Sequence, residues 1–121
     1  MIVRNFTPYP DAEVEGIVRR AMTASRGALP KVVEVKYRTL RQDTLLGFTP
    51  DDHRQPILLR VEPKDRYPQV GASSWQDELR TSALHEIVHF RHAGCHGDHC
   101  ETEAERYAQR YRRKVKIQTG R

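Results

Sequence analysis

Seventeen consecutive residues, Leu84 to Cys100, read LHEIVHFRHAGCHGDHC and hold five of the six histidines and both cysteines of the chain. This stretch constrains the fold more tightly than any other. Leu84, Ile87, Val88 and Phe90 supply an apolar side at helical spacing, so the first part is expected to be a buried-face helix. Upstream, Ser74 and Asp77 have the spacing of a capping box, and the helix is expected from about Trp75 to Arg91 or a little beyond. Gly94 and Gly97 end it, because glycine takes the left-handed conformation that reverses a chain.

The elements around it follow from periodicity. IVRNF reads as a short strand. In DAEVEGIVRRAMTASRG, Val14, Ile17, Val18, Ala21 and Met22 share one helical stripe, with Asp11 placed to cap the start and Gly27 the end. KVVEVKYRTL alternates Val33, Val35, Tyr37 and Thr39 with Glu34, Lys36 and Arg38, the pattern of a half-buried strand. TLLGFTPDDHRQPILLRV reads as two short strands around a polar turn, and Pro56 suggests that the second lies at a sheet edge. A last helix carries Ala104, Tyr107, Ala108, Tyr111 and Val115 on one stripe. The expectation is one α+β domain over residues 1–121: an N-terminal helix, a small mostly antiparallel or mixed sheet, the histidine-bearing helix and a C-terminal helix. A basic tail, expected to be flexible, follows from about residue 113.

On the central helix, His85 and His89 are four residues apart and so stand one turn above each other. They can offer two imidazole nitrogens to one zinc ion, and Glu86 lies where it can take a proton from water activated by that metal. The pattern HEIVH is thus the part list of a zinc-dependent hydrolase, with Glu86 as general base. The alternative is a surface helix whose histidines only face solvent.

A catalytic zinc takes a third protein ligand and keeps one position open. His96 is the favoured candidate, because a turn at Gly94 returns the chain and brings it towards the metal. The competing candidate is an acidic residue on the next helix. Of Glu101, Glu103 and Glu105, Glu101 lies nearest the stripe of Ala104, Tyr107 and Ala108. His92, Cys95, His99 and Cys100 are read as exposed or packed groups rather than as a second zinc site, which they could also build. Tyr107 and Tyr111 face the same inward stripe. They are read as core, although a tyrosine beside a metal can also stabilise an oxyanion.

HEIVHFRHAGCHGDHCETE resembles the SprT-like and YgjP-like (WLM-type) zinc peptidases, in which an HExxH helix is followed by a turn and a third histidine opening the next helix. The resemblance covers roughly the last third of the chain. It implies a minimal zincin-like domain, zinc ligands His85, His89 and His96, and Glu86 as base. The step from His89 to His96 is one residue longer than the usual YgjP-like pattern, and no four-cysteine module is present. The metzincin pattern is excluded, since its glycine and third histidine positions hold His92 and Cys95. ETEAERYA is similar to a segment of the repressor-cleaving gluzincin-like peptidases, which would make Glu101 the ligand.

The expected function is therefore a zinc metallopeptidase acting on a peptide or protein substrate. The alternatives are a non-catalytic zinc-stabilised binding module and a DNA-associated SprT-like protease. A net charge of +5 allows weak nucleic-acid binding through the tail. The start, MIVRNFTPYPDAEVEG, lacks the order of a secretory signal, no run is long enough to span a bilayer, and a cytoplasmic chain is expected. The substrate and the oligomeric state are not legible in the sequence.

Overall fold

The structure, a computed structural model, describes residues 1–37, 47–50, 52–61, 74–92 and 98–112, by backbone alone at 98–100 and 112. Seven elements follow one another: β1 (Ile2–Asn5), α1 (Asp11–Met22), β2 (Val32–Tyr37), β3 (Gly47–Phe48), β4 (Ile57–Val61), α2 (Trp75–Arg91) and α3 (Asp98–Arg112). Among the described residues the architecture is α+β, three helices with a four-stranded mixed sheet in the order β1-β2-β4-β3.

Strand β1 lies parallel to β2, with α1 as the crossover between them, and β2 lies parallel to β4. Among the described strands only β3 runs antiparallel, pairing Gly47 with Leu59 and Phe48 with Leu58. Most pairings are therefore parallel. The sheet is mixed, as one of the two expectations had it, but the expected edge position of β4 is overturned: β4 lies between β2 and β3, and among the described strands the edges are β1 and β3. Pro56 sits one residue before β4 and removes no donor from its ladder.

The alternation read from β2 is present, with Val33 and Val35 fully buried. On β4 the inward set is Ile57, Leu59 and Val61. Against this face pack the α1 stripe Val14, Ile17, Val18, Ala21 and Met22, and Leu79, Ala83, Leu84 and Ile87 of α2, all essentially inaccessible. Each large side chain so buried contributes about 1.5–3 kcal/mol relative to exposure. Helix α2 touches α1, α3, β3 and β4, and so is the central beam of the molecule.

Two helix ends differ from the expectation. Asp11 does not cap α1, whose N-cap position holds Pro10; its carboxylate instead accepts a hydrogen bond from Asn5 Nδ2 at 2.8 Å. The helix stops at Met22 rather than near Gly27, where the Thr23 hydroxyl donates back to the Arg19 carbonyl at 2.6 Å. For α2 the expected start is present, since Ser74 Oγ accepts from the Asp77 amide at 3.1 Å. It ends at Arg91 with an exposed His92 as cap. Gly94 and Gly97, the expected stops, lie outside the described residues, as do Thr39, Cys95 and Val115. At the end of α2, Arg91 donates to the carbonyls of Met22, Ser25 and Ala28 and to Ser25 Oγ, which ties α2 to the turn after α1.

Candidate metal centre

Helical spacing places His85 and His89 on the flank of α2 that faces α3, with their Nε2 atoms 3.2 Å apart. Both rings are mostly buried, their side chains 16% and 17% exposed. Helix α3 approaches closely because its facing residues, Ala104 and Ala108, are small and fully buried. Glu101, one turn before Ala104, extends over both rings. Its Oε2 lies 3.1 Å from His85 Nε2 and its Oε1 2.9 Å from His89 Nε2. One atom from each of the three residues falls within 4.8 Å of the others.

This donor set fits zinc. Two imidazole nitrogens and a carboxylate oxygen are a ligand combination of catalytic zinc, which leaves a fourth position for water or substrate. Tetrahedral bonds of about 2.0–2.1 Å place neighbouring ligand atoms about 3.3 Å apart. The two imidazole nitrogens are 3.2 Å apart, and each faces a different oxygen of Glu101, at 3.1 and 2.9 Å. His85 has a further partner, Glu105, whose Oε1 is 3.5 Å from Nδ1. A carboxylate behind the second ring nitrogen fixes the tautomer that presents Nε2 to a metal.

Glu86 is 6% exposed, and its carboxylate lies between His85 on one side and Thr49, the residue after β3, on the other. Its Oε1 accepts from Thr49 Oγ1 at 2.9 Å, while its Oε2 lies 3.9 Å from His85 Nε2. Burial pushes the Glu86 carboxyl above the ordinary carboxylate range; the His85 imidazole and the Thr49 hydrogen bond pull in the opposite direction without cancelling it.

Of the residues expected at the site, His85, Glu86 and His89 are brought together. His96 lies outside the described residues, and Glu101 occupies the position beside the histidine pair. Glu103 turns away, its Oε1 3.8 Å from Arg106 Nη1. Tyr107 is spoken for elsewhere, sharing a hydrogen bond with Ser25 Oγ, in keeping with a packing role. The side chains of His99 and Cys100 are outside the described residues. Glu105, weighed in the sequence only as a possible third ligand, instead stands behind His85, and Thr49 was not singled out at all. Glu105 carried one signal, its four-residue spacing from Glu101; Thr49 carried none. Comparisons of the chain with protein-family models, with curated proteins and with solved structures give no match.

Proposed function

We propose that this chain is a zinc-dependent peptidase whose metal is held by His85, His89 and Glu101 and whose general base is Glu86. The observation that supports it is the convergence of three ligand atoms from two helices beside a buried carboxylate whose Oε2 faces the same side. A site that only stabilised the fold would have no need of that carboxylate. Bound there, zinc supplies Lewis acidity and lowers the pKa of water towards about 7.

The chain's own residues do the rest. His85, His89 and Glu101 fix the site on two packed helices, and Glu105 orients the His85 ring. As water adds to the peptide carbonyl carbon, Glu86 takes the proton at Oε2. It returns that proton to the amide nitrogen as the C–N bond breaks, so the carboxylate is regenerated.

The test is Glu86→Gln assayed against a fluorogenic peptide library. Zinc content should stay close to the parent, while kcat/KM falls by about 10²–10⁴. Equal cleavage by parent and variant would remove Glu86 from the mechanism. Zinc bound with no cleavage by either would favour a structural zinc module.

A further inference from the structure

Strand β3 and the residue after it lie directly against the Glu86 side chain. Alternate residues of a strand face the same side. Gly47 and Thr49 therefore face α2, while Phe48 between them is 52% exposed. Thr49 Oγ1 donates towards Glu86 Oε1 at 2.9 Å and lies 3.2 Å from the Glu86 main-chain oxygen. Gly47 comes so close that a Cβ there would stand 2.8 Å from Glu86 Cγ and 3.0 Å from Oε2. The pairing of Gly47 with Leu59 and Phe48 with Leu58 anchors this short strand on the interior strand β4.

We infer that Gly47 and Thr49 form a cradle that positions the Glu86 carboxylate, holding Oε1 and leaving Oε2 directed at the reacting water. The inference rests on the peptidase reading of the site. The two oxygens of Glu86 have different surroundings. Oε1 is engaged by a hydroxyl, and Oε2 lies on the side of His85 Nε2. A free glutamate side chain has several rotamers. Here a donor at one oxygen and the lack of a side chain at residue 47 select one of them. Thr49 and Gly47 are thus positioning residues, acting through Glu86 rather than on substrate.

The test uses Thr49→Val, Thr49→Ser and Gly47→Ala in the full chain, each alone and with Glu86→Gln. The first readout needs neither metal nor activity: the carbon-13 resonance of the Glu86 carboxyl in metal-free protein. It should move in Thr49→Val and Gly47→Ala and stay near the parent in Thr49→Ser. The second readout is kinetic, on the zinc-loaded chain with a fluorogenic peptide library. Thr49→Val should lower kcat about ten- to a hundredfold with KM little changed, and Thr49→Ser should restore it. In the Glu86→Gln background Thr49→Val should cost nothing more, because the residue it acts through is gone.

An unmoved carboxyl resonance in Thr49→Val, or an equal loss in both backgrounds, overturns the inference. If Thr49→Val fails to fold, Gly47→Ala carries the same two readouts, since its added methyl is aimed directly at the Glu86 side chain. If the parent cleaves no peptide, the peptidase reading fails by itself, and the carboxyl resonance alone decides whether the cradle exists.

Discussion

Glu86 is a carboxyl that must ionise to accept a proton, yet it is 6% exposed and kept above the ordinary carboxylate range by burial. In metal-free protein this has a consequence for stability. Between the unfolded value of 4.5 and the higher folded value, the folded chain holds a proton that the unfolded chain has released. Stability therefore falls as pH rises through that window. Glu86→Gln has no such proton, so it should be more stable than the parent at neutral pH. The gap should close as the pH drops below about 4.5, where Glu86 is protonated in both states. Urea unfolding of both proteins in chelator across that range measures it; a gap that does not depend on pH would contradict the account. At this scale the sequence was informative where the spacing was local. His85, Glu86 and His89 follow from one helical turn, whereas Thr49 reaches Glu86 across 37 residues and nothing in its neighbours announces it.

Among the elements, α2 was the most legible, because Ser74 at its start and the apolar positions Leu84, Ile87 and Phe90 carry their signals within a few residues. The α1 stripe and the β2 alternation were legible for the same reason. Strand order was not: pairing of β2 with β4 spans more than twenty residues, and a proline beside a strand does not say which strand is the edge. The join between α1 and α2 also escaped the periodic reading, since it depends on one backbone conformation. Gly27 has φ +154°, and a Cβ there would collide with the Arg91 side chain. Arg91 is the residue that ties the end of α2, two residues beyond His89, to the turn after α1. Gly27→Ala should thus destabilise the protein by about 1–3 kcal/mol. Chemical denaturation with an unchanged slope would register it; a neutral substitution would mean that the Arg91 clamp adapts freely.

Across the whole molecule, a metal held by His85, His89 and Glu101 would cross-link α2 to α3. Helix α3 otherwise presents two small residues, Ala104 and Ala108, and the partly buried Tyr107 and Tyr111 to the core. Ordinary linkage then ties metal binding to folding: a zinc concentration a thousandfold above Kd adds about 4.1 kcal/mol to stability. The choice of Glu101 is the part of the reading that separates this chain from the histidine-ligand pattern its sequence resembles. No helix among the described residues is long and apolar enough to cross a membrane. Direct titration of zinc into the parent, Glu101→Ala and His96→Ala by competition with a chromophoric chelator tests the central claim. The account predicts one zinc per parent chain, a loss of affinity of about tenfold or more in Glu101→Ala, and near-parental affinity in His96→Ala. Loss in His96→Ala with Glu101→Ala unaffected would contradict it and return the third position to the histidine.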